Sequence, residues 1–375
     1  MAGGINLTLM IGPAVPVPVP KVVLDALSSI QVTTAVGQAS GFQLTFELGS
    51  SSPLYTLFTL DGGGAIPMIR VIIAVTVNGS PEVLMDGVMT NHELNPGNDS
   101  APATLIVTGE DISKVMDYID FSGIPYPAMP AEARVALILA KYAVLGIVPV
   151  VIPTLFSETP LPTDRIPLQK GKDLEYVRQL AKEVGYVFYI APGPKPGMSI
   201  AYWGPDIKIG TPQPALNTKM DAYTNVESLS FNLNADAKKQ PVVFIQEPIS
   251  KQPLPIPIPD ISMLNPALGA TSLLAKTIEP ITDAANRSPI AAIMAGISAA
   301  SNSADGISAN GTLDVIRYGH VLKARRLVGL RGAGSAFDGV YYTKSVTHNI
   351  KPGEYKQSFT LTRNALGSLV SSLPI

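Results

Sequence analysis

The sequence contains no cysteine and few charged residues. With no cysteine among 375 residues, disulfide bonds, thiolate metal ligands and cysteine nucleophiles are excluded together. Charged residues make up 15% of the chain and apolar residues 46%, whereas soluble proteins carry about a quarter charged residues. We therefore expect part of the apolar surface to be covered by other protein chains.

No apolar run is long enough to cross a bilayer. The most apolar stretch, residues 131–156, is broken by Arg134, Lys141, Pro149 and Pro153, and a spanning helix takes about 20 apolar residues. The N-terminus has neither a basic nor a clean apolar region of the secretory type. A net charge of −2 indicates no general affinity for nucleic acid. These features predict a protein that is made and assembled in the cytoplasm.

Strand patterns occupy both ends of the chain, and helix patterns lie between them. GFQLTFEL (41–48) alternates apolar and polar residues, as half-buried strands do. The clearest helix covers residues 171–185, with an apolar stripe along one face, and a hairpin follows it to residue 203. Further helices are predicted at 111–119 and 131–147. The chain is therefore predicted to be α+β and β-rich.

The pattern divides the chain into four parts. They are a first β domain (1–110), a middle α/β region (111–215), a second β domain (216–247 and 311–375) and an insertion within that second domain (248–310). The insertion begins Pro-rich and becomes Ala/Ser-rich, which predicts a proline-stiffened arm with small helices.

One hairpin sequence occurs in both β domains. HELNPGNDSAPATL (92–105) matches HNIKPGEYKQSFTL (348–361) at His, Pro-Gly and Thr-Leu, with a constant offset of 256 residues. Upstream, Asp-Gly-Val at 86–88 matches Asp-Gly-Val at 338–340. The repeat predicts a duplicated domain with the two histidines at equivalent strand positions.

The second copy of this hairpin resembles a known family. Residues 338–367 read Gly-x-Tyr-Tyr, Val-x-His-x-Ile and Gly-x-Tyr-x-x-Ser-Phe-x-Leu-x-Arg-Asn. This pattern resembles the C-terminal end of baseplate hub proteins of contractile phage tails and related injection systems, the late-control-protein-D type. The helix and hairpin between residues 168 and 204 are similar to a segment that those hubs share with spike proteins of type VI secretion. The resemblance covers most of the chain outside 248–310.

The resemblance implies two tail-tube-like β-barrel domains per chain and a homotrimer. Three chains would form a ring with pseudo-sixfold symmetry that joins a sixfold tail tube to a threefold spike and encloses the central channel. Because no spike or lysozyme module follows residue 369, the spike is expected to be a separate protein. The other implied partners are the tail tube or a tube initiator, the tape measure and baseplate wedge proteins. The implied location is a virion tail or phage-tail-like particle.

No catalytic, cofactor or metal site is predicted. His92 and His348 would lie in different barrels without a second ligand nearby, and we expect His320 on a surface strand. The Gly-rich segment 329–339 lacks the Lys-Ser/Thr ending of a phosphate loop and reads as a β-loop. A carbohydrate-binding adhesin would expose aromatic side chains, but aromatics make up 6% of the chain and Trp203 is the one tryptophan.

The alternative function is a peptidoglycan-degrading tail enzyme, which would need a pair of carboxylates around a cleft. Four carboxylates are candidates for this role: Glu158, Asp164, Glu183 and Asp206. Glu158 and Asp206 lie in Pro-rich loops, and Glu183 belongs to the polar side of the 171–185 helix. The sequence therefore favours a structural protein without enzymatic activity.

The densest basic patch consists of Lys323, Arg325, Arg326 and Arg331. One interpretation is a solvated strand face. The other, which the resemblance favours, is a docking surface for acidic groups of the tube or spike.

Overall fold

The computed structural model describes residues 5–49, 68–97, 102–154, 159–160, 163, 166–234, 236, 238–246, 252–258, 265–272, 274–281, 293, 296–297, 300 and 305–369. Strands predominate within these ranges, which confirms the predicted α+β, β-rich class.

The N-terminal half consists of seven strands and one short helix. They are β1 (Ile5–Gly12), β2 (Val17–Pro18), α1 (Lys21–Asp25), β3 (Leu27–Ala35), β4 (Gly41–Leu48), β5 (Arg70–Val77), β6 (Ser80–Asn95) and β7 (Ala103–Asp111). The turn between β5 and β6 is Asn78-Gly79, with φ angles of 50° and 81°. An Asn-Gly pair with two positive φ angles is the preferred two-residue hairpin turn.

The middle region contains helices and a three-stranded sheet. It comprises a 3₁₀ turn (Ile112–Asp117), α2 (Ala131–Ala140), a second 3₁₀ turn (Ala143–Leu145), β8 (Ile147–Val151), α3 (Asp173–Glu183), β9 (Val187–Pro192) and β10 (Ser199–Gly204). α3 confirms the helix predicted at 171–185. The helix predicted over 131–147 is shorter: α2 ends at Ala140, the 3₁₀ turn that follows ends at the left-handed Gly146, and the chain then pairs with β10 as β8.

The C-terminal half returns to strands. It comprises β11 (Gln213–Asn217), a 3₁₀ turn (Asp221–Tyr223), β12 (Val226–Leu233), β13 (Lys239–Gln246), β14 (Pro253–Pro257), β15 (Thr271–Ser272), β16 (Thr277–Ile281), β17 (Ile307–Asp314), α4 (Val315–Tyr318), β18 (Leu327–Arg331), β19 (Gly339–Lys351), β20 (Glu354–Arg363) and β21 (Ala365–Leu366).

Both halves carry the same order of six strands. The order is β3-β4-β7-β6-β5-β1 in the first half and β12-β17-β20-β19-β18-β11 in the second. If β2 is left out of the first half, and β13–β16 and β21 are left out of the second, each strand of the second half takes the place of the strand with the same rank along the first half. One difference is that β1 is antiparallel to β5, whereas β11 is parallel to β18. The repeated order supports the predicted duplication.

Two pairs of β-bulges refine this correspondence. Thr90 of β6 and Lys344 of β19 are unpaired residues at equivalent places, 254 positions apart. With these bulges aligned, the residues paired across successive strands also correspond. Thr108 of β7 corresponds to Thr360 of β20, Gln43 of β4 to Asn310 of β17, and Gln31 of β3 to Ser230 of β12. The same alignment places Ser28 of β3 on Glu227 of β12, and both of these residues are bulges as well. The alignment was set by Thr90 and Lys344 alone, so the match between the bulges at Ser28 and Glu227 is independent support for it. This match extends the correspondence through four strands of each half.

This alignment corrects the one read from the sequence. His92 corresponds to Val346 and His348 to Leu94, so the prediction of equivalent histidines is wrong by two positions. The spacing of the strands also differs, since two residues, Pro352-Gly353, join β19 to β20, whereas β6 ends at Asn95 and β7 begins at Ala103. Sequence matching could not detect this difference in loop length and register.

The two halves are joined into one 13-stranded sheet. β3 pairs antiparallel with β19 over six residue pairs, from Ala35 opposite Ser345 to Ile30 opposite Ile350. One hydrophobic core contains buried residues from both halves. Among the described residues the pairing path stays open from β12 to β2, and it does not close into the predicted barrels.

Strands β13, β14 and β16 form a separate small sheet, ordered β14-β13-β16. Val243, Ile258 and Ala300 form its own core. This unit lies between β12 and β17, where the first half has the short connection 36–40 between β3 and β4. It overlaps the predicted insertion at 248–310, although β13 precedes that range and β17 begins within it.

A buried ion pair anchors the middle region to the main sheet. Arg70 of β5 donates two hydrogen bonds to the carboxylate of Asp86 on β6, at 2.7 and 2.6 Å. The Ser199 hydroxyl of β10 donates to the same carboxylate at 2.9 Å, and Arg70 also donates to the Gly197 carbonyl. Loss of either charge would leave the other buried and unpaired, which is strongly destabilising.

The second core, which contains α3, yields a stability prediction. Leu180 is 1% exposed and packs in this core. Leu180→Asp buries an unpaired carboxylate, so we expect the free energy of unfolding to fall by about 3 kcal/mol or more, or the protein to aggregate. Gln179→Asp, on the exposed side of the same helix, should leave the melting temperature within a few degrees. An unchanged melting temperature for Leu180→Asp would show that the assigned face is wrong.

Candidate docking surface

The predicted basic patch lies largely on the loop 319–326, which connects α4 to β18. Asp314 caps α4 by accepting hydrogen bonds from the backbone N–H groups of Ile316 and Arg317, and Gly319 ends it at a φ of 77°. The Asn78 side chain, in the turn before β6, donates to the Gly319 carbonyl at 3.1 Å. The loop is therefore held against the first half of the molecule.

Two of the four predicted cations have partners within the chain. Lys323 forms an ion pair of 2.5 Å with Glu82. Arg325, at a φ of 62°, donates to the Ala35 carbonyl at 2.7 Å, and its guanidinium lies 4.3 Å from the centre of the Tyr189 ring. Burial lowers the pKa of Arg325. Both residues connect the loop to neighbouring elements, and neither is a free docking group.

The other two cations have side-chain N–H groups without a hydrogen-bond partner among the described residues. Arg326 is exposed at the end of the loop. Arg331, at the far end of β18, has buried Nε and Nη2 atoms without a hydrogen-bond partner in the part of the chain that the structure describes. The Oδ1 atom of Asn217, its partner residue on β11, is also buried and unsatisfied there. An unsatisfied buried guanidinium is costly, and the unsatisfied Asn217 Oδ1 is the acceptor on the residue that lies opposite it in the strand pairing.

Two open grooves flank the basic loop. One has a volume of about 480 Å³ and extends to Tyr189 and His348, and the other, of about 370 Å³, extends to His320. Glu82, Lys323 and Arg326 line both grooves. The loop therefore forms a wall with mixed charge between two concave surfaces.

A buried polar network supports the loop from below. The amide group of Gln357 accepts from the Leu322 N–H at 3.0 Å and donates to the Leu322 carbonyl at 2.8 Å. His348 Nδ1 lies 2.7 Å from the Tyr355 hydroxyl and 3.2 Å from Gln357 Nε2. Because that nitrogen of Gln357 can only donate, Nδ1 acts as an acceptor and the histidine is neutral. Burial lowers the pKa of His348 to about 3.

The Arg-Asn end of the C-terminal motif is structural too. The buried Arg363 guanidinium donates to backbone carbonyls of the 336–338 loop and of residues 365 and 367. Asn364 accepts from the Leu268 N–H at 2.8 Å and donates to the Pro266 carbonyl at 3.0 Å. These residues fix the Gly-rich loop and the segment that leads to β15. Sequence reasoning did not assign them a role, because most of their partners lie 25 or more residues away in the chain.

The remaining predicted residues are dispersed. His92 is exposed on β6, and His320 is exposed in a loop and not on a strand as expected. Trp203 is fully buried. Within the described ranges no group of three His, Asp or Glu side chains could hold a metal ion.

The four carboxylates weighed for hydrolysis do not form a described pair. Glu158 and Asp164 lie outside the described residues. Glu183 accepts a hydrogen bond from Gln179 on α3, whereas Asp206 accepts one from the Tyr342 hydroxyl at 3.2 Å. Burial raises the pKa of Asp206. Glu183 and Asp206 therefore serve different local contacts.

The structure is similar to solved tail proteins over nearly its whole length. The tail protein from Neisseria meningitidis MC58 has a TM-score of 0.63 at 12% identity, covering 96% of this chain and 97% of that one. The 43 kDa tail protein of prophage MuSo2 from Shewanella oneidensis has a TM-score of 0.59 at 14% identity, covering 97% of this chain and 100% of that one.

A third solved structure comes from a secretion system. The E. coli c3393 protein, a type VI secretion component with structural similarity to the T4 bacteriophage tail proteins gp27 and gp5, has a TM-score of 0.50 at 12% identity. The match covers 90% of this chain and 73% of that one. No protein-family model and no curated protein matches the sequence. None of the helices described here has the length and apolar character needed to cross a membrane.

At these identities the comparisons establish the fold. The chain has the fold of phage and prophage tail proteins, and the resemblance read from residues 338–367 is confirmed at that level.

The network below the loop predicts a pH-dependent stability. The folded protein keeps His348 neutral down to about pH 3, whereas the unfolded chain takes up this proton below about pH 6.5. The neutral His348 therefore makes its full contribution to the free energy of unfolding above pH 6.5. This contribution decreases by about 2 kcal/mol from pH 7 to pH 5, because the unfolded chain binds the proton that the folded protein excludes. Denaturant titration at both pH values measures this effect. Between pH 7 and pH 5, the free energy of unfolding of His348→Gln should decrease less than that of the unmodified protein, by about 2 kcal/mol. At pH 7 the variant should be less stable than the unmodified protein.

If His348→Gln keeps the full pH dependence of the unmodified protein, the buried network is not its source.

Proposed function

We propose that this chain is a structural baseplate hub of a contractile phage tail or phage-tail-like injection particle. It adapts a sixfold tail tube to a threefold spike and encloses the central channel, without enzymatic activity. The observation that carries this proposal is the six-strand order that occurs twice in one chain. The fold similarity to tail proteins supports it.

The duplication has a geometric use in this role. A sixfold tube presents six equivalent surfaces, whereas a threefold spike accepts three copies of a hub chain. Three copies with two similar units each offer six sites of nearly equivalent shape, so each tube subunit can bind one unit. A chain with one unit would leave the two symmetries unmatched.

The proposed domain organisation follows the prediction with one adjustment. The two tail-tube-like barrel domains comprise 1–110 and the strands of 216–247 and 311–375, with 111–215 as the middle region. The insertion, predicted at 248–310, would also include β13, because this strand pairs with β14 and β16. The separate core of this unit supports its role as an appendage.

The proposed partners are a second and third copy of the chain, a separate spike protein and a tail-tube or tube-initiator protein. Tape-measure and baseplate wedge proteins would contact the finished hub. The particle would be assembled in the bacterial cytoplasm. A net charge of −2 suits a channel that releases its cargo and does not bind nucleic acid specifically.

Of the basic residues, Arg326 and Arg331 are the proposed docking groups. Arg326 is exposed, and Arg331 is partly exposed at the far end of β18. Lys323 and Arg325 would instead hold the loop in position. This division explains how a segment rich in cations can serve structure and docking at once.

Copy number tests the proposed function. Native mass spectrometry of the hub purified with its spike, or of the intact baseplate, should find three copies of the chain. One copy or six copies would contradict the adaptor role even though the fold is that of a tail protein.

Charge reversal tests the docking surface. Arg326→Glu should weaken binding to the purified tube or spike protein by about tenfold, mainly through slower association, with a smaller effect at high salt. Arg178→Glu, an exposed arginine on α3, is the matched control and should bind normally. Equal behaviour of the two variants would place the docking surface elsewhere.

A further inference from the structure

The junction between the two halves provides a template for a junction between copies. Where β3 pairs with β19, Val32 lies opposite the buried His348 on one face. On the other face the hydroxyl groups of Thr33 and Thr347 are 3.1 Å apart. The junction therefore combines an apolar face, continuous with the core, with a face of short polar contacts.

The corresponding strands have edges without a strand partner. β19 corresponds to β6, and β3 corresponds to β12. Among the described residues, 91–95 of β6 pair with β7 on one side alone, and β12 pairs with β17 on one side alone. Leu94 is 45% exposed and Leu233 is 47% exposed on these edges. Open strand edges with exposed apolar side chains are pairing sites, and soluble proteins usually protect them.

We propose that residues 91–95 of β6 in one copy pair antiparallel with β12 of a neighbouring copy. This inference rests on the proposed assembly of copies around an axis. Applying the bulge alignment to the β3–β19 register fixes the pairing: His92 lies opposite Leu233, Glu93 opposite Asn232 and Leu94 opposite Phe231.

The side chains fit this register. Leu94 takes the place of the buried His348 and would cover the half-buried Phe231, with Leu233 diagonal to it on the same face. On the other face, Glu93 and Asn232 take the places of Thr347 and Thr33, and the amide can donate to the carboxylate. The proposed junction thus repeats the alternation of apolar and polar faces found within the chain.

The contact is also able to close a ring. β6 and β12 are different surfaces, so the junction is head-to-tail, and such contacts form a closed ring when the rotation between copies allows it. In a ring of three, junctions within chains and junctions between chains would alternate. Each of the six units would then have nearly the same neighbours.

Cysteine cross-linking tests the register, since the chain has no cysteine of its own. Directly opposite residues have Cα atoms about 4.5–5.5 Å apart, within the range that a disulfide spans. We expect particles carrying Glu93→Cys with Asn232→Cys to give covalent trimers on non-reducing electrophoresis after mild oxidation. Ser228 lies on the same face, about 13 Å further along β12, so Glu93→Cys with Ser228→Cys should remain monomeric.

The outcomes separate this inference from the proposed function. If particles contain three copies but the first pair does not cross-link, or if both pairs cross-link equally, the junction is wrong and the adaptor role stands. If particles contain one or six copies, the adaptor role fails.

A second measurement uses the apolar face. Leu94→Asp should keep the melting temperature of the isolated chain, because this side chain is exposed there, and should abolish incorporation into particles. Leu137→Asp is the matched control, since Leu137 is 51% exposed on α2 and should be tolerated in assembly. Normal assembly of Leu94→Asp would overturn the proposed junction.

Discussion

The antiparallel pairing of β3 with β19 is the constraint on which the rest of the molecule depends. It joins strands about 315 residues apart in sequence and merges two six-strand units into one sheet with a shared core. It thereby fixes the relative orientation of the two units before any partner binds. In the proposed adaptor role, this rigidity would matter more than the details of either unit, because each unit would have to meet a neighbouring tube subunit at a set angle.

The other buried polar groups hold elements against this frame. Arg70, Asp86 and Ser199 connect the main sheet to the middle region, and Gln357 with His348 supports the basic loop. Arg363 fixes the Gly-rich loop through its guanidinium. The motif that resembles hub proteins therefore consists largely of residues that shape the second unit. Structural contacts of this kind are a physical reason for a recognisable motif.

Local patterns predicted the elements that depend on local physics. The alternation in 41–48 and the apolar stripe in 171–185 correspond to β4 and α3. The parallel pairing of β8 with β10 depends on a contact about 50 residues away, so the 131–147 helix was predicted too long. The predicted equivalence of His92 and His348 was wrong by two positions, because bulges and loop lengths leave no clear signal in the sequence. The basic patch was found, but Glu82, which neutralises Lys323, is 241 residues away.

The central claim is that the two six-strand units act as equivalent binding sites for a sixfold tube. A cryo-microscopy map of the hub–tube junction tests this claim most directly. The account predicts six tube contacts around the axis, alternating between N-terminal and C-terminal units of three chains, with β3–β19-like ladders throughout the ring. A map in which the tube rests on units of one kind alone would contradict it.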